Sequence, residues 1–183
     1  MLKDLAKKPT TTLAIDASTN SFAFALFEGK KLVRYGEIDF VGKTVFDRLA
    51  DAQPKLYSMR NQLSADQVVI EGATYVQNKR TVILLAYCFG AIISAVKRPG
   101  ADVKEVPPIT WQNAIGNKAL NKVEKAQLKR DNPDKSESWY KDQAREIRKQ
   151  RTMDWVAKNF NVVVSSDNIS DAIALGAVAV REI

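Results

Sequence analysis

Near the start of the chain lies the stretch Thr11-Thr-Leu-Ala-Ile-Asp16, in which β-branched and apolar residues lead directly to an acid. This composition is typical of a strand, so we predict a strand with a carboxylate at its C-terminal end. Two further strands are predicted at Ser21–Phe27 and Lys31–Asp39. The turn residues Glu28-Gly29-Lys30 join them as a hairpin.

The spacing of apolar residues changes after this hairpin. From Thr44 the larger side chains recur at intervals near three, four and seven residues, which predicts an amphipathic helix. The pattern then predicts a strand at Gln67–Ile70 followed at once by Glu71, a helix at Gln77–Lys97, a strand at Asp102–Val106 and a short helix from Thr110, its expected N-cap, to Ile115. A hairpin followed by alternating helices and strands predicts an α/β fold with a mixed central sheet.

The last third of the chain begins with a polar, basic stretch. Residues 117–135 contain few apolar side chains and are the one candidate for disorder. A long helix is predicted from Ser136, a brief strand or extended link at Val162–Val164, and a final helix capped by Ser165-Ser166-Asp167. We find no internal repeat or dividing linker, so residues 1–183 are expected to form one domain.

The charge balance and two missing residue types narrow the function. The chain has 28 basic and 21 acidic residues, a formal charge of +7, which favours a polyanionic partner. It contains no histidine, which excludes Ser-His-Asp chemistry and histidine metal ligands. Cys88 is its one cysteine, so internal disulfides and cysteine zinc clusters are excluded as well. The groups that remain available for catalysis are carboxylates, lysines and hydroxyls, together with a hard metal ion.

The N-terminal residues 1–10 carry three lysines and no apolar stretch, so they are not expected to be a signal peptide. The longest apolar run, Val82–Val96, spans 15 residues, which is short for a membrane crossing. We therefore expect a soluble cytoplasmic protein without a membrane partner.

Four acids stand where an α/β fold can gather them. Asp16 and Glu71 end strands, where sites form in open α/β sheets, and Asp167 and Asp171 share one face of the last helix. Each acid alone has an ordinary explanation, because strand ends are often solvated and Asp167 can be a helix cap. Together they would repel one another unless a cation held them. An all-oxygen set suits Mg²⁺ or Mn²⁺, and two-metal sites of this kind hydrolyse phosphodiesters.

These motifs resemble those of the RuvC-type Holliday-junction resolvases. The resemblance rests on Thr12-Leu-Ala-Ile-Asp16, on Val68-Val-Ile-Glu71 with Tyr75, Asn78, Leu85 and Gly90 after it, on Asp167-Asn-Ile-Ser-Asp171-Ala-Ile-Ala-Leu, and on Pro107-Pro108 and Gly116. It covers nearly the whole chain apart from about thirty residues near 117–145, which are interpreted as a basic insertion. The chain looks like a divergent member of the family, and the sequence leaves open whether it is of a bacterial or a phage type.

The resemblance implies a three-layer ribonuclease-H-like fold with helices on both faces of the sheet. It implies that Asp16, Glu71 and Asp171 are catalytic metal ligands, with Asp167 as the fourth, and that Lys149 stabilises charge on the scissile phosphate. The implied cofactor is Mg²⁺, two ions per site, with Mn²⁺ as a substitute. The implied activity is paired nicking of four-way and other branched DNA by a homodimer, in a bacterial cell or a phage-infected host.

Three positions depart from the family pattern. Ala17-Ser18 replaces Pro-Gly after the first acid, and Trp111 and Gln112 stand where some relatives carry a basic residue. Asn168 occupies the position at which many relatives have the fourth acid, so the fourth ligand stays open between Asp167 and Asn168.

Basic residues concentrate in one segment that would serve DNA binding. Residues 117–151 contain eleven basic and six acidic side chains. Such clusters suit phosphate contacts, although a solvated charged helix gives the same pattern. The predicted DNA-binding residues are Lys118, Lys122, Lys125, Lys129, Arg130, Arg145, Arg148 and Arg151, with Tyr75, Asn78, Lys79 and Arg80 just beyond Glu71. Tyr75 is either a stacking residue at the branch point or an edge-of-core residue.

Other functions remain open from the sequence. A different ribonuclease-H-like nuclease would act on RNA or flaps, and a junction-binding protein would use the same basic surface without catalysis. Ile15-Asp16-Ala-Ser-Thr19 also resembles the first phosphate loop of sugar-kinase and actin-like ATPases, although such enzymes need a second domain of this type. The apolar helix Thr81–Val96 is either buried or part of a subunit interface.

Overall fold

A five-stranded mixed sheet lies at the centre of the structure, a computed structural model that describes residues 10–72 and 79–181. Its strands are β1 (Thr11–Ala17), β2 (Ser21–Glu28), β3 (Lys31–Asp39), β4 (Gln67–Glu71) and β5 (Asp102–Val106), in the order β3-β2-β1-β4-β5. Strands β1, β2 and β3 pair antiparallel, and β4 and β5 continue from β1 in parallel. The predicted strands and the mixed sheet are confirmed.

Helices cover both faces of this sheet. They are α1 (Val45–Met59), α2 (Lys79–Val96), α3 (Pro108–Ala114), α4 (Lys122–Asp131), α5 (Glu137–Phe160) and α6 (Asp167–Ala179). One core joins α1 and α2 to the sheet face that carries Leu13 and Ile15. The other core joins α3, α5 and α6 to the opposite face, which carries Ala14 and Phe27. This arrangement confirms the predicted three-layer α/β fold.

The segment 117–135 was the candidate for disorder, and that expectation is wrong. Helix α4 forms there because its N-terminus is fully capped: the Asn121 side chain accepts from the backbone N–H groups of Val123 and Glu124, and Glu124 accepts from Asn121 N–H. An ion pair of 2.5 Å between Glu124 and Arg151 then ties α4 to α5. That residues 117–145 are an insertion into a single domain remains a prediction.

The structure changes one predicted helix boundary and makes two other predictions more exact. Helix α3 begins at Pro108 with Pro107 as its N-cap, not at Thr110, because proline is already set for the first helical turn. Ser166, not Asp167, caps α6. Residues 162–164 form an extended link with no strand pairing, one of the two predicted forms. The predicted start of α2 at Gln77 lies outside the described residues.

Helix α2 is more apolar than a core helix needs to be. It has 18 residues because it begins at Lys79, so by length and composition it meets the minimum for a membrane span that Val82–Val96 alone did not reach. One such helix in the described ranges is weak evidence for a span. Cys88, Ile92 and Val96 are buried, while Ile83 and Tyr87 are about half exposed.

Helix α6 lies unusually close to the sheet. Gly176 faces β1 and β2, and a Cβ atom at this position would lie 2.4 Å from Phe27 Cε2 and 2.9 Å from Ala14 Cβ. The small residues of α6 are therefore required for contact rather than for flexibility, since even one methyl group cannot be accommodated.

We expect Gly176→Ala to destabilise the protein by about 1–3 kcal/mol, because the added methyl group overpacks the core. Urea unfolding measures the change. Gly90→Ala is the matched control, since no described atom lies within 4 Å of a Cβ there and alanine favours an exposed helix by about 0.5–1 kcal/mol. Equal effects of the two substitutions would contradict the close packing of α6.

Candidate active site

Asp16 and Glu71 lie side by side on the sheet face that α6 covers. Side chains alternate along a strand, so Asp16 points to the same face as Ala14, which packs beneath α6. Ile15 pairs with Ile70 in the parallel ladder, which brings the residues that follow them, Asp16 and Glu71, next to each other. The carboxyl ends of two neighbouring parallel strands therefore present two acids at one edge of the sheet.

The first turns of α6 bring Asp167 and Asp171 to the same place. Ser166 accepts a hydrogen bond from Ile169 N–H and starts the helix, so the two acids lie one turn apart. Asp171 is close enough to Asp16 and Asp167 for both of their charges to act on it. The structure thus brings together all four acids predicted from the sequence.

Burial and mutual repulsion raise the pKa values of three of these carboxyl groups. Burial, followed by the charge of Glu71, raises the pKa of Asp16 well above its ordinary value. Burial and the charge of Asp171 raise the pKa of Glu71. Burial and the charges of Asp16 and Asp167 raise the pKa of Asp171 to about 7. Acids shifted together in this way are typical of a functional cluster.

Asp16 and Glu71 contact each other at the end of their strands. Their side chains lie within hydrogen-bonding reach, which raises the pKa of Asp16 and opposes the rise in that of Glu71. Trp111 Nε1 also donates to Glu71 Oε1 at 3.3 Å. The fully buried indole therefore stands beside the acid pair.

The donor chemistry fits a divalent cation. All four groups offer oxygen, and Asp171 Oδ1 is buried with no hydrogen-bond partner among the described residues. As the side chains are arranged, however, the described ranges contain no group of three or more acids, cysteines or histidines that would hold a metal ion. Hydrogen bonding between Asp16 and Glu71 and ion pairing of Asp167 occupy oxygens that a cation would bind.

Lys149 lies at the edge of the acid cluster. Its Nζ is 2.9 Å from Asp167 Oδ2 and 3.3 Å from Glu146 Oε1. The hydrogen bond to Asp167 raises the pKa of Lys149. The lysine picked out by the family resemblance therefore carries its positive charge next to the predicted site.

The sequence analysis missed a fifth acid, Glu37 on β3. Asp16 pairs with Ala23 on β2, and Ala23 pairs with Glu37, so Glu37 shares the sheet face of the acid cluster. Burial alone would raise the pKa of Glu37, but hydrogen bonds from Ser166, Asn168 and Ser21 outweigh it and the pKa is lowered. Glu37 therefore stays ionised and holds the N-terminus of α6 against the edge of the sheet.

These contacts also bear on the fourth ligand. Asn168 Nδ2 donates to Glu37 Oε1 at 2.6 Å and lies 3.4 Å from Ser21 Oγ, so its amide is engaged with the sheet edge. The charge of Asp167, in contrast, acts on both Asp16 and Asp171. The geometry favours Asp167 over Asn168.

Two buried polar residues support Asp171 from the side of α5. The Thr152 hydroxyl hydrogen-bonds to Asp171 and partly offsets its raised pKa, which burial dominates. Asn117 Nδ2 donates to Thr152 Oγ1 at 2.9 Å and to the Arg148 carbonyl at 2.8 Å. Asn117 lies between α3 and α4 and Thr152 within α5, so no local sequence pattern pointed to this support.

The predicted DNA-binding residues fall into three groups. Tyr75 and Asn78 lie outside the described residues, and Lys79 and Arg80 begin α2. Lys118, Lys122 and Lys125 are exposed beside or on α4. The rest contact protein groups: Lys129 with Glu137, Arg130 with Gln127, Arg145 with Asp142, Arg148 with Gln112 and Arg151 with Glu124.

Comparison with known proteins supports the fold. No family model matches the chain, and no curated protein matches it by sequence. Thermus thermophilus RuvC in complex with a Holliday junction substrate is similar in structure, with a TM-score of 0.65, 11% identity, and 94% of each chain covered. A second T. thermophilus RuvC structure gives 0.63 and 11%, covering 94% of this chain and 95% of that one. The yeast mitochondrial Holliday junction resolvase Ydc2 gives 0.47 and 14%, covering 98% and 82%.

The chain therefore has a ribonuclease-H-like fold of the RuvC type. The two Thermus structures, at 11% identity, establish the architecture of the chain. The yeast structure, with a TM-score of 0.47, adds no support for it. The resemblance found in the sequence is confirmed at the level of the fold.

In metal-free protein, the folded state keeps protons on the acid cluster that the unfolded chain loses near pH 4, so the free energy of unfolding should fall as pH rises from about 4 to about 7. Asp171→Asn removes the group whose pKa is raised to about 7. Relative to the parent, this variant should gain about 2–4 kcal/mol at pH 8 and almost nothing at pH 4. Urea unfolding in EDTA measures the difference. Asp154→Asn, an exposed acid on α5, is the control, and parallel pH profiles for all three proteins would contradict the shift.

Proposed function

We propose that this protein is a divalent-metal-dependent endonuclease that cleaves branched DNA. The observation that carries the proposal is the convergence of Asp16, Glu71, Asp167 and Asp171 at the carboxyl edge of the sheet, within a RuvC-type fold. A buried cluster of this kind is costly for the fold unless a cation binds it. The cluster is therefore better explained by function than by stability.

The same residues would hold the metal, Mg²⁺ or Mn²⁺, as a pair of ions. Bound ions of this type activate water and stabilise the leaving oxygen of a phosphodiester. The chain itself contributes the orientation of the carboxylates: Trp111 holds Glu71 and Thr152 holds Asp171. Lys149 would neutralise charge on the phosphate oxygens, since its ammonium group lies beside Asp167.

Branched DNA is the proposed substrate because of what the structural relative binds. The T. thermophilus RuvC structure contains a Holliday junction substrate, and its fold matches 94% of this chain. The formal charge of +7 and the exposed lysines of 117–125 suit a polyanion. The cytoplasm of a bacterial cell or of a phage-infected host is the compartment in which such an enzyme would work.

A homodimer is proposed from the exposed apolar surface of α1 and α2. Phe46 and Tyr87 pack together with ring centroids 6.1 Å apart, yet Phe46 is 65% exposed and Ile83 is 51% exposed. A contiguous apolar surface of this kind favours association. A twofold-symmetric pair of sites would match the near-twofold symmetry of a four-way junction and would nick two opposed strands.

Mg²⁺ should support paired nicking of a labelled four-way junction, and matched linear duplex should stay intact. Asp171→Asn should lower the nicking rate by about 100-fold or more, because a metal-binding carboxylate is worth several kcal/mol in the transition state. Asp154→Asn should keep the parental rate. An independent readout is the melting temperature, which millimolar Mg²⁺ should raise in the parent and raise less in Asp171→Asn.

Other results in cleavage and binding assays would indicate a different function. Cleavage of RNA–DNA hybrid or flaps in preference to the junction would indicate another ribonuclease-H-like nuclease. Salt-dependent junction binding without cleavage in either metal would indicate a non-catalytic binding protein. Detectable ATP binding would indicate the ATPase alternative.

Ile83→Glu should convert the dimer to a monomer, because it places a charge in the centre of the exposed apolar surface. Light scattering at micromolar concentration gives the mass. Val163→Glu is the matched control, since Val163 is 91% exposed on the link before α6. A parent protein with the mass of one chain would refute the dimer.

A further inference from the structure

A cavity of about 420 Å³ lies between α4 and α5, away from the acid cluster. Its apolar lining comes from Leu120, Leu128, Tyr140 and Ala144. This volume is within the range of small-ligand sites, about 300–1,000 Å³. Neither the acids nor Lys149 enter it, so the proposed hydrolysis does not account for it.

The Tyr140 ring is held in place before any ligand arrives. Its hydroxyl donates to the Asn132 carbonyl at 2.5 Å, and Lys129 Nζ lies 5.2 Å from the ring centroid. Lys129 is itself fixed by an ion pair of 2.6 Å with Glu137. An aromatic ring fixed in this way loses little entropy when a flat apolar group stacks on it.

The lining is strongly cationic. Five basic residues line the cavity against one acid, Glu137, which already pairs with Lys129. They are Lys125, Lys129, Lys141, Arg145 and Arg148. An apolar floor with a cationic rim is complementary to a group that has a flat apolar part and a negative part. An apolar protein side chain would match the floor of this cavity but not its cationic rim.

Two arginines of this lining also face a second cavity, which lies beside the acid cluster. Arg145 and Arg148 also line a second cavity, of about 160 Å³, whose other wall includes Lys149, Thr152 and Asp171. Arg148 Nε is buried there and has no hydrogen-bond partner among the described residues. A negatively charged chain leaving the acid cluster would therefore meet these arginines next, on the way to the apolar cavity.

From these features we propose that the α4–α5 cavity binds one unpaired nucleotide of the DNA, with its base on Tyr140 and its phosphate at Arg145 and Arg148. The proposal rests on the proposed function and adds a strand-recognition site to it. A paired base in an intact duplex is not free to enter such a cavity, so the site would favour DNA that is open next to the cleavage point. Stacking is tolerant of sequence, because every base has an aromatic face.

The test compares two single strands of about ten nucleotides, within the size range of single-strand sites. One is oligodeoxythymidylate, and the other is an abasic strand with the same phosphates and no bases. Binding of the full chain is measured by fluorescence anisotropy in EDTA, so that no cleavage occurs. The parent should bind the thymidylate about 10-fold more tightly, since one base stack contributes 1–3 kcal/mol.

Variants locate that difference in the cavity. Ala144→Phe fills it and should bring both strands to the affinity of the abasic strand, with an unchanged salt dependence because the phosphate contacts remain. Tyr140→Leu should lose the preference for bases, and Tyr140→Phe should keep it. Ala126→Phe, at an exposed position of α4 that does not line the cavity, should behave as the parent.

Two results would overturn the proposal: equal affinity of the parent for the two strands, or an undiminished base preference in Ala144→Phe. Either result, together with normal Mg²⁺-dependent junction nicking, would refute the nucleotide site but not the proposed nuclease activity. If the parent protein did not nick the junction in Mg²⁺, the proposed function itself would be refuted.

Discussion

The close approach of α6 to the sheet is the constraint on which the rest of the structure depends. Gly176 leaves no room for a methyl group above Ala14 and Phe27, so the distance between helix and sheet is fixed at its minimum. The N-terminal turns of the same helix carry Asp167 and Asp171. A helix held further out, as larger side chains would require, would separate these acids from Asp16 and Glu71.

That proximity has an energetic consequence for the fold. Burial and the neighbouring carboxylates raise the pKa values of Asp16, Glu71 and Asp171, and that of Asp171 reaches about 7. The structure offsets part of this repulsion locally, through the Thr152 hydroxyl beside Asp171 and the Lys149 ammonium group beside Asp167. Natural proteins give up stability in this way at sites that act on a ligand.

Much of the fold and the site could be predicted from the sequence, because strands that end in acids and a helix with acids one turn apart are local patterns. Glu37 was not predictable, since the register shift between Leu26 and Phe27 adds a residue to β3. Without this bulge Ala23 would face Gly36, and Glu37 would point to the other face of the sheet. The order of 122–131 was missed although the capping box of Asn121 and Glu124 is a local pattern. The attachment of this helix to α5 was not predictable, because the ion pair between Glu124 and Arg151 joins residues that are distant in sequence.

Helix α5 packs into the fold mainly through its C-terminal half. Its 24 residues extend for about 36 Å, and its buried residues, Thr152 and Val156, lie in the C-terminal half. The N-terminal half is more exposed and contacts α4, as in the bond from the Tyr140 hydroxyl to the Asn132 carbonyl. Changes in composition before Arg145 would therefore remove none of the α5 contacts around the acid cluster, which come from Arg145 onward. For the proposed nuclease, the choice of DNA could thus evolve separately from the cleavage chemistry.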